Sequence, residues 1–209
     1  RENAMIFSVI IVIVVFYSIY FWSWRKNEQN FYLTNRPIIL GHRGSPTIIT
    51  ENTSPSFEKA LKQGVEGVEF DIRLTKDNQI IVFHDDNLLR LAGVNIRIQD
   101  LTYKEIQFHT LKKENNQTIE VIAPLLTDLL PILEKAETIN IEIKSDSIFD
   151  NGKIVNHLIK FLDNNHFDCK TIVSSFNPRL LWRLRRKRPQ TITGLLYTNR
   201  VALHGIYNM

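Results

Sequence analysis

The sequence predicts an α/β domain built on a parallel sheet, preceded by one transmembrane helix. Short β-rich apolar runs alternate with amphipathic stretches from Pro37 onward, the pattern of strands joined by helical crossovers. Two of those runs carry charge on one face and apolar side chains on the other. Ahead of them stands an uncharged run of 20 residues, Met5 to Trp24.

That first run reads MIFSVIIVIVVFYSIYFWSW. As a helix it spans roughly 30 Å, the thickness of a hydrocarbon core. Tyr17, Tyr20, Phe21, Trp22 and Trp24 crowd its far end, as an interfacial aromatic belt does. Arg25 and Lys26 follow, which favours a single-pass membrane protein with its domain on the cytoplasmic side. A cleaved signal peptide is the competing reading. The length of the run and the lack of a small-x-small site after it argue for an anchor that stays. Residues 25–36 form a polar linker, and 37–209 the domain. The single cysteine, Cys169, excludes an intrachain disulfide. The net charge of +4 is mild, and no nucleic-acid motif accompanies it.

Strands are expected at Ile38–Arg43, Val68–Thr75, Ile80–His84, Ile139–Lys144, Thr171–Phe176 and Thr191–Tyr197. Helices are expected at Ser54–Gln63, with Ser54 as N-cap and Pro55 at N1, and at Thr127–Ala136, Ile154–Asn164 and Asn177–Pro189. Residues 85–123 break the alternation and read as an insertion with small elements of its own. Six strands in one series allow an open doubly wound sheet or most of a TIM barrel, whose full form takes about 250 residues.

In Val68–Thr75, Glu69, Asp71 and Arg73 share a face; in Ile139–Lys144, Asn140, Glu142 and Lys144 do. A parallel strand is covered on both sides, so such charges must be paired or bound to a metal. Glu69, Asp71 and Glu142 make a hard oxygen set suited to Mg²⁺ or Ca²⁺. The competing reading is a solvated strand face. His42 and His84 end the first and third strands and are candidate acid–base groups. Arg43 and Lys144 could hold a phosphate or pair with the same carboxylates. The basic run Arg179 to Arg188 reads as the solvated face and C-terminal end of a helix, with lipid headgroups as the alternative.

Five short motifs occur in order: His42-Arg43-Gly44, Glu51-Asn52-Thr53, Glu69-Phe70-Asp71, His84-Asp85 and Glu142-Ile143-Lys144. In this order they resemble the glycerophosphodiester phosphodiesterase family, over roughly Pro37 to Tyr197. The resemblance implies a TIM-barrel-like domain with metal ligands Glu69, Asp71 and Glu142, catalytic His42 and His84, and phosphate-contacting Arg43 and Lys144. It implies metal-dependent hydrolysis of glycerophosphodiesters to an alcohol and glycerol phosphate. Two barrel strands expected in the family have no counterpart after Tyr197. A lysophospholipase D acting on membrane lysophospholipids would use the same residues, and a truncated, non-catalytic membrane protein is the reading from a different class.

Overall fold

The computed structural model describes residues 2–23, 37–112, 120–147, 149–167 and 170–197. The chain divides into two compact units, Arg1–Asn30 and Phe31–Met209. The first contains one helix, α1 (Glu2–Ser23). Its described side chains, Met5 to Ile19, are exposed. Among the described residues no helix is long and apolar enough to cross a membrane. The helix expected from Met5 is present up to Ser23, but the membrane span is not supported; Trp24 lies outside the described residues. The linker 25–36 lies outside the described residues.

The second unit is a parallel α/β fold. Its strands are β1 (Leu40–His42), β2 (Gly67–Leu74), β3 (Ile80–Val82), β4 (Thr138–Ile143), β5 (Thr171–Ser175) and β6 (Ile192–Leu195). The order β1-β2-β4-β5-β6 is parallel throughout, and β3 pairs antiparallel with β2. This corrects the sequence reading, which put Ile80–His84 into the parallel series. A tight turn returns the chain along β2: the Thr75 N–H donates to the Gln79 carbonyl and the Gln79 N–H to the Thr75 hydroxyl. Asn78 takes a φ of 60°, a conformation Asn tolerates better than most residues. Five parallel strands are thus described, where a complete barrel has eight.

The helices are α2 (Ser54–Lys62), α3 (Leu89–Ala92), α4 (Tyr103–Ile106), α5 (Leu130–Lys135), α6 (Lys153–Asn165) and α7 (Pro178–Lys187). Thr53, not Ser54, is the N-cap of α2. A 3₁₀ turn at Leu126–Leu129 leads into α5, which puts Pro131 in the first turn, where its missing N–H costs nothing.

The apolar faces of these helices bury the outward side chains of the strands. Phe57 of α2 meets Phe70 of β2 edge-on, with ring centroids 5.8 Å apart. Leu158 and Leu162 of α6, and Leu180, Leu181 and Leu184 of α7, are fully buried. A second apolar cluster gathers Ile81, Phe83, Leu88, Leu91, Ile98, Ile106, Leu111 and Ala123 under the segment after β3. Residues on both faces of β2 are buried, Glu69 and Asp71 of the charged face among them. The solvated-face reading of that pattern does not hold.

Candidate active site

The site begins where β1 ends. His42 lies beside Glu69 in register. The next two residues turn the chain sharply, with φ of 55° at Arg43 and 90° at Gly44. For Arg this is an uncommon conformation, of a kind that clusters at functional sites. It is held from both sides. The Arg43 N–H donates to the Glu69 carbonyl at 2.9 Å and lies 3.1 Å from Glu69 Oε2. The Arg43 carbonyl accepts from the Asn52 N–H at 3.0 Å. Gly44 is required here: a Cβ would stand 2.5 Å from Ser56 Oγ and 2.7 Å from the Ser56 carbonyl carbon. Gly44→Ala should destabilise the fold by about 3 kcal/mol, combining strain with overpacking. A urea midpoint lowered at constant m would register this; an unchanged midpoint would contradict it.

Across the sheet, Asp71 of β2 sits in register with Glu142 of β4. One carboxylate oxygen from each of Glu69, Asp71 and Glu142 lies within 4.8 Å of the others. All three residues are buried, Asp71 completely. Asp71 Oδ2 accepts from Asn52 Nδ2 at 2.8 Å and lies 3.2 Å from Arg43 Nε. Lys144 Nζ sits 3.1 Å from Asp71 Oδ1 and also bonds Glu142. Burial pushes the Asp71 carboxyl up. Lys144, the Asn52 hydrogen bond and Arg43 together outweigh burial, and Asp71 settles below the ordinary value. Glu69 is pushed up to about 8, by burial first and by the Asp71 charge second.

These residues fit a divalent cation. The donors are hard oxygens on two adjacent strands. Asp71 Oδ1 is buried and makes no hydrogen bond; Lys144 is close to it but badly angled for donation. Burial and the neighbouring Asp71 charge disfavour ionisation of Glu69; a bound cation relieves such repulsion among crowded carboxylates.

The histidines flank this cluster. His42 Nε2 is 3.7 Å from Glu69 Oε2, and its side chain is 67% exposed. Its pKa lies below the ordinary value, because the ring is partly withdrawn from water and because Arg43 is adjacent. His84 follows β3 and is mostly buried. Its Nδ1 lies 2.7 Å from Asp85 Oδ1. An ionised carboxylate only accepts, so Nδ1 carries the proton and Nε2 is left to exchange one.

Asp85 is braced in turn. Its Oδ2 accepts from Arg90 Nε at 2.7 Å, while Arg90 Nη2 reaches Glu51 Oε1 at 2.5 Å. Arg43 Nη1 shares that Glu51 oxygen at 3.1 Å. One chain of polar contacts thus runs from His84 through Asp85, Arg90, Glu51 and Arg43 to Asp71. Arg73, from the same face of β2, donates to the His84 carbonyl and pairs with Asp146.

Partial burial raises the Asp85 carboxyl, but the bonds from His84 and Arg90 outweigh it and hold it well below the usual range. Its folded-state pKa is thus below the unfolded value near 4. The stabilisation is complete above that value and drains away as pH falls. Asp85→Asn should flatten the acid limb of the stability–pH curve and cost about 1–2 kcal/mol at neutral pH. An unchanged acid limb would show the pairing to be inconsequential.

All seven residues expected at the site therefore meet. Glu51, Asn52, Asp85, Arg90 and Arg73 join them without having been given roles. For the first three the signal was their place in the short motifs; for Arg73 it was the strand face it shares with Glu69 and Asp71.

The family model described as "Glycerophosphoryl diester phosphodiesterase family" matches residues 42–205. The glycerophosphodiester phosphodiesterase of Caldanaerobacter subterraneus is 31% identical over 164 residues, which cover 78% of this chain and 67% of that protein. An Oleispira antarctica phosphodiesterase, solved with the product sn-glycerol-3-phosphate, superposes with a TM-score of 0.70 at 25% identity; the match covers 76% of this chain and 65% of that one. The human lysophospholipase D GDPD1 is 45% identical over 67 residues, covering 32% of this chain and 21% of that protein. The chain thus spans about two thirds or less of the length of these proteins. Its TIM-barrel-like parallel fold agrees with the structural match, and on the breadth of the family match the chain belongs to the glycerophosphoryl diester phosphodiesterase family of phosphoric diester hydrolases.

Proposed function

We propose that the chain hydrolyses glycerophosphodiesters to an alcohol and glycerol phosphate, with Glu69, Asp71 and Glu142 holding Mg²⁺ or Ca²⁺. The buried convergence of those carboxylates beside two histidines carries the reading. A divalent cation held there supplies Lewis-acid polarisation of the phosphoryl group. Arg43 and Lys144 bind the phosphoryl oxygens and stabilise the charge that grows on them. One histidine accepts a proton from the nucleophile, either the glycerol 2-hydroxyl or water, and the other protonates the leaving alkoxide; where the 2-hydroxyl attacks, the product is a cyclic phosphate, which water then opens to glycerol phosphate with the histidine roles reversed. Asp85 keeps His84 in the tautomer that leaves Nε2 available. A cavity of about 440 Å³ opens beside Lys144 between Arg73, Arg97 and Asp146, with room for the leaving alcohol.

The segment similar to a lysophospholipase D supports a second substrate, a lysophospholipid, cut by the same groups. Choline release from glycerophosphocholine and from lysophosphatidylcholine separates the two. Faster release from glycerophosphocholine is expected. A strong preference for the lysolipid would favour the second reading, and release from neither would overturn both.

The same proposal places residues 37–209 as the phosphodiesterase domain, with 85–123 inserted in it. It also keeps the chain on a membrane through the apolar run at Met5–Trp24, with Arg25 and Lys26 on the cytoplasmic side. The uncharged apolar run and the basic pair after it carry this part of the reading. Resistance of the expressed chain to alkaline carbonate extraction would bear it out, and full release would refute it.

A further inference from the structure

We infer that the outer face of α7 and the loop before α6 form a docking surface for an anionic lipid bilayer. The surface consists of Phe149, Lys153, Arg179, Trp182, Arg186 and Lys187, and it stands independently of the phosphodiesterase reading.

The fold explains only part of this charge. Helix α7 carries no acidic residue, and neither α6 nor α7 has one in its first turn. Cations at a helix C-terminus offset the dipole, which accounts for Arg186 and Lys187. The same dipole disfavours Lys153 and Arg179, each in the first turn of its helix. Among the described residues, Arg179, Arg186 and Lys187 have no carboxylate at ion-pair distance; Lys187 bonds the Asn156 amide instead. By contrast, Arg188 is buried and pairs with Asp163, so the basic run splits into an inner structural residue and an outer set.

The apolar groups on this face are equally unexplained by the core. Phe149 is 75% exposed and Trp182 36%. Each lies under a guanidinium, Arg179 at 5.4 Å from the Phe149 ring centre and Arg186 at 4.8 Å from that of Trp182. Stacked pairs of this kind present an aromatic wedge and a cation together. That combination suits the headgroup layer of a bilayer, where aromatic rings settle at the interface and basic side chains meet anionic lipids.

One end of the surface, Phe149 and Arg179, lies at the site's end of the sheet, while Arg186 and Lys187 close α7 towards the opposite end. Phe149 follows β4, and Arg179 opens the helix that follows β5. In a parallel β/α fold those connections surround the strand C-termini, where the carboxylate cluster lies. A bilayer engaged by Phe149 and Arg179 would therefore face the mouth of the candidate site.

The test uses the full chain with Trp182 as its only tryptophan, through Trp22→Phe and Trp24→Phe. Its emission is followed on vesicles containing brominated phosphatidylcholine, with and without roughly one-third phosphatidylserine. Quenching of Trp182 is expected on the anionic vesicles, not on the neutral ones, and should reverse at ~1 M salt, where the Debye length is about 3 Å. Each neutralised cation should weaken the local contact about fivefold. The variant Arg179→Gln/Arg186→Gln/Lys187→Gln should lose the response while a circular dichroism melt stays unchanged. Three results would overturn the proposal. These are no quenching on anionic vesicles, equal quenching on neutral ones, or an undiminished response in the triple variant. Duplex DNA that suppressed the vesicle response at equal charge concentration would assign the surface to polyanions generally and would also overturn it.

Discussion

His42→Ala is expected to lower turnover of glycerophosphocholine by about 10³-fold, within the range for losing a general acid–base group, while the protein melts as before. The two halves of this expectation have separate causes. The His42 side chain is 67% exposed, and its close approach to Glu69 is 3.7 Å, longer than a hydrogen bond. Removing the ring therefore leaves no buried group unpaired, and such substitutions fall within about 0.5 kcal/mol. The ring stands beside the metal-type cluster with its pKa below the ordinary value. Near neutral pH it is the free base and can take a proton. Stopped turnover with an unchanged melt is the expected outcome. Turnover near that of the parent would remove His42 from the mechanism.

Asp71→Asn should be more severe, because it acts on the fold and the site together. The side chain keeps its shape but loses the charge that faces Arg43 at 3.2 Å and Lys144 at 3.1 Å. Both cations are mostly buried, and although Arg43 keeps Glu51 and Lys144 keeps Glu142, each loses the carboxylate the two share, and losing a partner from a buried pair is strongly destabilising. A stability loss of about 3 kcal/mol follows, read from the urea midpoint. The amide can still accept from Asn52 Nδ2 through its oxygen, so local geometry survives in the molecules that remain folded. Their turnover should nonetheless fall about 10³-fold or more, since the proposed cation would lose a charged ligand and Lys144 and Arg43 would lose their orientation. Loss of stability with full activity in the folded fraction would assign Asp71 a purely structural role.

The alternation of charge and apolar side chains along β2 and β4 made the site legible in sequence. Two parallel strands with carboxylates on their covered faces leave few arrangements, and the register Asp71↔Glu142 delivers the convergence directly. The apolar run Ile80–His84 carries no such alternation and misled. An apolar run of that length does not reveal the direction of its strand. The turn residues Thr75 to Gln79 held the information, with Asn78 at positive φ. Missing the hairpin added one strand to the parallel count.

The bracing chain was out of reach for a different reason. Glu51 and Arg90 are 39 positions apart. What unites them is the path of the segment after β3, set by its own apolar cluster. Asn52 was visible as part of a motif. Its work depends on a φ of 56°, which aims the amide at Asp71, and residue type alone does not reveal that.

The most direct measurement is a calorimetric titration of the full chain with MgCl₂ and with CaCl₂ in chelator-free buffer, repeated on Asp71→Asn and on Glu142→Gln. Saturable binding of one cation per chain is predicted for the parent, with the binding heat lost in both variants. Absence of binding in the parent, or undiminished binding when either carboxylate is neutralised, would contradict the account.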